Sequence, residues 1–366
     1  MEQNKVEGEL VSLFKSVPHL GKRIVNYLNI EDWAKLQHLC RTLRDAVHCH
    51  ARPTSLELVT RFDRGQRGQH SLTLRCRAHH IFMRATDKEG AVRHLLQAAG
   101  SRWNLSQLTE LQLHITYEDH DDVVNGITYR SDYGSFRQRL LELEELGRFG
   151  LAHVRKLSVV VSDTTCYRRL SWLPRLVGQL ESVDGESKSV LHLPGLPSAP
   201  IRRLTISPQE DFFEPGSLSL AHFPATLREL RINNGFPDFD AERDFLLELL
   251  EQSRELGRYK TVDSWSVSYV EEILLACLRA PRSFCMEAEG LDGFLENAME
   301  TEEMDEMGET EEMELWLTDF LRRQPSLRLR HRFSYAYLLQ GLQGKACLHF
   351  TAPSDPLFSF RFSYLL

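Results

Sequence analysis

The sequence predicts an α/β protein: a small helical module near the N-terminus, then a long region in which short strands alternate with helices. Three observations predict it. Residues 17–50 carry apolar side chains at helical spacing. From about residue 54 a six-residue pattern, apolar-x-x-apolar-x-apolar, keeps returning. Between its copies lie stretches whose apolar residues fall three and four apart, as on one face of a helix.

The helical module follows an N-terminal extension over residues 1–16. Pro18 suits the first turn of a helix, and Ile24, Val25 and Leu28 form an apolar face. Asn29 precedes Ile30, with Asp32 placed to cap a second helix at Trp33. That helix carries Trp33, Leu36, Leu39, Cys40 and Leu43, with Lys35, Arg41 and Arg44 on other faces. Two or three short helices cannot bury all these side chains among themselves. Part of the apolar face must pack on the following region or on another protein.

In order and spacing these residues resemble an F-box. Val17-Pro18, Ile24, Tyr27-Leu28, Glu31-Asp32-Trp33, Leu36, Leu39-Cys40-Arg41 and Arg44 follow that family's pattern of Leu-Pro, Ile-Leu-x-Tyr-Leu, Asp-Leu and Leu-x-x-Val-Cys-x-x-Trp-Arg. The chain departs from it in a segment one residue shorter between Pro18 and Tyr27, and in Leu43 where Trp is common. The resemblance implies binding to the Skp-family adaptor of a cullin–RING ubiquitin ligase. It makes Val17, Pro18, Ile24, Leu28, Trp33, Leu36, Leu39, Cys40 and Leu43 the adaptor-binding residues. The plainer reading, an amphipathic hairpin that caps the next region, is compatible with it.

Residues 51–366 hold the repeating pattern. Full copies stand at Leu108-x-x-Leu111-x-Leu113, Val154-x-x-Leu157-x-Val159, Ile201-x-x-Leu204-x-Ile206, Leu227-x-x-Leu230-x-Ile232 and Val262-x-x-Trp265-x-Val267. Partial copies occur at Leu56/Leu58, Leu72/Leu74, Phe284/Met286, Leu327/Leu329 and Leu348/Phe350. Such alternation sets one face of a short strand against a core. Helices are expected over Ala91–Ala99, Phe136–Leu146, Phe245–Leu256 and Val270–Leu278. Alternating strands and helices suit either a parallel α/β sheet or a solenoid.

The repeated pattern resembles the core of leucine-rich repeats, although its spacing runs from 16 (Leu56 to Leu72) to 47 residues (Leu157 to Leu204), against about 20–29 in regular arrays. No strand is followed by a Gly-rich phosphate loop. The resemblance implies a degenerate leucine-rich-repeat-like solenoid, its strands lining a concave face; an unrelated α/β domain is the competing fold. An F-box ahead of such repeats resembles the substrate-receptor subunits of SCF-type ligases. Those do no chemistry themselves and raise the local concentration of a protein substrate. The alternative is a repeat scaffold that binds a partner with no ligase. Arg155, Arg202, Arg228 and Arg231, with Ser158 and Thr205, occupy positions expected on the open strand face. The four arginines are the candidate substrate-binding residues, for a substrate the sequence does not identify.

Charge and composition exclude other classes. The formal net charge is −8, but eleven acids and no Lys or Arg fall between Leu291 and Leu315. Without them the 52 acids drop to 41 against 44 basic residues, so the rest is near neutral and nothing calls for nucleic acid. The segment 291–310 reads as an acidic insertion that cannot bury enough surface to order itself, with a helix starting near Glu311. It would serve as a solubilising loop, or as a clamp or mask toward basic groups. Thr301 and Thr310 are candidate phosphorylation positions within it.

No window reaches the ~18 apolar residues of a membrane span, and the acidic N-terminus is unlike a signal peptide. Seven scattered Cys without a CxxC suit reduced thiols in the cytoplasm or nucleus. His48-Cys49-His50 and Cys76-x-x-His79-His80 lack a second ligand pair at zinc spacing. Cys166, Ser162 and Asp163 lack partners for a triad, and no GxSxG, Walker loop or HExxH occurs. No enzyme, cofactor or metal is expected.

Overall fold

The computed structural model describes residues 12, 16, 53–63, 68–76, 79–86, 88–118, 131–208, 220–233, 239–253, 255–261, 264–266, 271–273, 275–276, 284–288, 290–292, 317–324, 328–333, 336–340, 345–350 and 360–365. They form two compact units, Met1–Val183 with His192–Gly195, and Asp184–Leu191 with Leu196–Leu366. Both are α/β with mixed sheets. Among the described residues no helix is long and apolar enough to cross a membrane.

In the first unit β1 (Ser55–Asp63) runs antiparallel to β2 (Gln69–Cys76), which runs antiparallel to β3 (His79–Thr86). On its other side β1 is parallel to β4 (Glu110–Glu118), which is parallel to β5 (Lys156–Val161). The apolar pattern fixes the register: Leu56, Leu111 and Leu157 lie opposite one another, as do Leu58, Leu113 and Val159, all buried. A one-residue slip would turn every one of them to solvent.

Helix α1 (Ala91–Arg102) lays Val92, Leu95, Leu96 and Ala99 against the sheet. It starts from Gly90 at φ 80°, a left-handed residue with no side chain to cap the helix. The cap comes from α2 (Ser131–Glu142): Glu142 accepts from the N–H groups of Gly90 (2.9 Å) and Arg93 (3.1 Å) and meets the buried Arg139. A carboxylate there also suits the helix dipole. Past a 3-10 segment (Leu143–Phe149), Trp172 Nε1 donates to the buried Leu143 carbonyl (3.0 Å) just ahead of α3 (Leu173–Val177).

The division between the units falls inside β6 (Ser182–Glu186). In the second unit β7 (Arg203–Ser207), β8 (Glu229–Ile232), β9 (Arg258–Thr261) and β11 (Phe284–Ala288) are parallel neighbours. Leu204, Leu230, Tyr259 and Met286 share one row; Ile206, Ile232 and Thr261 share the next. Beyond β11 the sheet turns antiparallel through β16 (Phe360–Leu365), β15 (Lys345–Phe350), β14 (Ala336–Gln340) and β13 (Arg328–Phe333). Helix α4 (Ser187–Leu191) packs near β7. The longer α5 (Phe239–Gln252) buries Phe245, Leu246, Leu249 and Leu250.

The ladder corrects the expected copies. In the expected copy Val262-x-x-Trp265-x-Val267, Trp265 lies outside the ladder: it sits in β10 (Ser264–Ser266), which among the described residues pairs with β12 (Gly290–Asp292) alone. The ladder strand is instead Leu256-x-x-Tyr259-x-Thr261, all three fully buried. Its polar atoms hid it. The Tyr259 hydroxyl donates to the buried Glu242 of α5, so a phenol fills a position where the pattern calls for an aliphatic chain. Leu72/Leu74, Leu348/Phe350 and Leu329 lie in antiparallel strands and are not copies of the parallel repeat.

Five of the parallel strands, β4, β5, β6, β8 and β9, are entered the same way. One carbonyl accepts from two consecutive N–H groups of the next strand's start. Thr54 accepts from Thr109 and Glu110, Thr109 from Arg155 and Lys156, and Arg155 from Glu181 and Ser182. In the second unit Arg202 accepts from Arg228 and Glu229, and Arg228 from Gly257 and Arg258. Glu181 thus stands where Arg155 does one strand earlier, which makes Leu180-x-x-Val183-x-Gly185 another copy, concealed by its glycine. The steps from Leu157 to Val183, Leu204, Leu230, Tyr259 and Met286 are then 26, 21, 26, 29 and 27 residues.

Candidate functional site

The candidate site is built on the outward face of β7, β8 and β9. Because Leu204, Ile206, Leu230, Ile232, Tyr259 and Thr261 point into the core, the residues between them point out. They form two rows, Arg203–Glu229–Arg258 and Thr205–Arg231–Lys260. Four of these six side chains are cations and one is an acid. Arg258 makes a bidentate contact with Glu287 of β11, its Nη2 2.9 and 3.1 Å from the two carboxylate oxygens, and lies 3.8 Å from Glu229. The hydrogen bond to Glu287 raises the Arg258 pKa above its ordinary value, with partial burial opposing it. Lys260 is 3.9 Å from the same Glu287. Arg203 and Arg231 are exposed and have no carboxylate within ion-pair distance among the described residues.

Two cations are therefore held by an acid and two are open. Two open guanidiniums beside a fixed guanidinium and a held ammonium suit recognition of carboxylate or phosphate oxygens. Of the arginines expected on this face, only Arg231 lies on it. Arg155, Arg202 and Arg228 each stand one residue before a strand, at the rim, where their carbonyls carry the strand-entry bonds. Arg155 is also occupied, donating to the carbonyls of Ala152 (2.9 Å) and Val154 (3.2 Å). Arg228 lies 3.4 Å from Glu255, and Arg202 is exposed. Arg203, Arg258 and Lys260 were not among the expected residues. The last two needed the Leu256-x-x-Tyr259-x-Thr261 strand to be recognised.

All nine expected adaptor-binding residues, Val17, Pro18, Ile24, Leu28, Trp33, Leu36, Leu39, Cys40 and Leu43, lie outside the described residues. So does the acidic segment, apart from Leu291 and Asp292 in β12.

Ser162 and Asp163 make local hydrogen bonds, and Cys76 and Cys166 are buried. Asp163 accepts from the N–H (2.9 Å) and hydroxyl (2.6 Å) of Thr165, capping a 3-10 turn. Ser162 Oγ accepts from the Tyr117 N–H (3.0 Å). Cys166 and Cys76 are buried free thiols. Burial pushes each up to about 12, aided at Cys166 by the Asp163 charge and opposed by its own backbone hydrogen bond. Among the described residues no group of three or more His, Cys, Asp or Glu is placed to hold a metal. A comparison of the sequence with models of protein families finds no match, and a comparison with curated proteins finds none either.

Proposed function

We propose that this chain is the substrate-recognition subunit of an SCF-type ubiquitin ligase, working in the cytoplasm or nucleus. In this reading the F-box-like residues 17–50 dock on a Skp-family adaptor, and a leucine-rich-repeat-like array presents a protein substrate. The observation that carries the recognition half is the cationic face of β7–β9, with Arg203 and Arg231 open. The regular strand entries and the 21- to 29-residue steps from Leu157 to Met286 support the repeat reading, since ~20–29 residues is the length of one leucine-rich repeat. The sequence between Pro18 and Arg44 supports the docking half. A chain of this kind needs no catalytic residue, because it acts by holding a substrate near the ubiquitin-carrying enzyme.

The test is co-purification of the full chain from cells with mass spectrometry of its partners. A Skp-family adaptor and a cullin are expected. A folded chain that brings down partners but no adaptor would sink the ligase reading and leave a binding scaffold.

A further inference from the structure

The first unit carries a cavity of its own, about 670 Å³, on the outward face of β1, β2 and β3. Leu56, Leu58, Leu72 and Leu74 turn into the core, so Val59, Arg61 and Ser71 turn outward into this cavity. Cross-strand register places Val59, Ser71 and Arg84 in one row, and Arg61, Gln69 and Thr86 in the next. Phe82 lines it too, as do Gly68, His70 and Ala85. Phe82 is 53% exposed and is the one large hydrophobic side chain found exposed among the described residues. The Arg84 guanidinium stacks 4.9 Å from its ring centre.

Among the described residues no Asp or Glu lines the cavity. Glu57 is one row away, in line with Thr73 and Phe82. Neither Arg61 nor Arg84 has a carboxylate within ion-pair distance among the described residues. An exposed aromatic ring and two unneutralised guanidiniums share one open concavity, on a chain whose net charge is −8. The chemistry that complements it is an apolar group with carboxylates beside it.

We propose that this cavity docks an acidic peptide segment of a partner protein, with an apolar side chain against Phe82 and carboxylates against Arg61 and Arg84. A folded nucleic acid fits less well, because two charges make a short electrostatic footprint, and the open form favours a peptide laid across the strands over an enclosed small molecule. The proposal does not rest on the ligase reading: a chain that binds no adaptor can still bind this peptide.

The experiment uses the full chain and fluorescence anisotropy. The probe is a labelled eight-residue peptide alternating Glu with Leu around one Phe. Its controls are the same peptide with Gln for Glu and an eight-nucleotide oligothymidylate. The Glu peptide binds, and the Gln peptide binds about tenfold more weakly or worse, the expected loss for two partly exposed charge contacts. Arg61→Glu with Arg84→Glu abolishes binding, Arg61→Lys with Arg84→Lys keeps part of it, and Phe82→Ala weakens it severalfold. The positions are on the surface, and thermal melts verify that each variant is folded. Should the glutamate pair misfold, Arg61→Gln with Arg84→Gln carries the same test. No binding of the Glu peptide, equal binding of both peptides, unchanged binding by the charge-reversed chain, or tighter binding of the oligonucleotide overturns the proposal.

Discussion

Tyr259 and Glu242 hold a core position with polar atoms. Both side chains are buried, and the phenol donates to the carboxylate across the gap between β9 and α5. Tyr259→Phe keeps the ring and removes that donor, so it should cost about 1–3 kcal/mol, the penalty of stripping a buried acceptor of a partner. Urea denaturation reads it, and a loss below a few tenths would mean water replaces the phenol. Cys76 and Cys166 make a second residue-scale case. Their folded pKa, about 12, lies above the ordinary 9.0. The unfolded thiols ionise first as pH rises, so their contribution is complete below pH 9 and is lost between about 9 and 12. Native protein at pH 8 should leave both thiols unmodified by iodoacetamide, while Cys76→Ala with Cys166→Ala should flatten the fall in stability above pH 9. Rapid native labelling of either would contradict their burial.

At the scale of elements, the sequence was legible wherever one apolar face dictates the structure. The expected strands at Leu111, Leu157, Leu204 and Leu230 all occur in the parallel ladder, and their registers follow the leucines. It was illegible where a partner distant in sequence does the work. The β9 strand reads as polar until Glu242 is placed behind Tyr259. Helix α1 opens on Gly90 with no local cap, and its carboxylate comes from Glu142, 52 residues along. The cationic face was half legible: Arg231 follows from alternation within a recognised strand, but Arg258 and Lys260 follow only once β9 is seen. Glu142 therefore deserves a test. Glu142→Ala uncaps α1 and takes the carboxylate from the buried Arg139, an expected loss of about 3–5 kcal/mol. Gly90→Ala, strained at φ 80°, should lose about 1 kcal/mol or more. Near-neutral Glu142→Ala in chemical denaturation would show that the helix is held by its apolar face alone.

For the whole molecule, the proposed ligase subunit carries two binding tasks on different stretches of one chain, and the two should separate by mutation. In that proposal the docking task falls to the apolar residues that the sequence spaces through 17–50, where a desolvated Leu contributes about 1.5–3 kcal/mol. Leu28→Asp with Leu39→Asp should thus abolish adaptor binding. The recognition task rests on the strand face, where Arg258 and Lys260 are already engaged by Glu287 and Arg203 and Arg231 are open. Arg203→Glu with Arg231→Glu should lose an acidic substrate while keeping the adaptor. Reversal of Arg155 or Arg228 should do less, since their guanidiniums already meet carbonyls or Glu255. Quantitative mass spectrometry of partners captured by wild type and the two double variants reads both tasks at once, with thermal melts confirming that the variants are folded. Each variant should lose one class of partner and retain the other. A strand-face variant that keeps every partner would remove the cationic face from recognition. A folded docking variant that loses substrate together with adaptor would mean that the substrate is reached through the ligase, and that the strand face does not hold it directly.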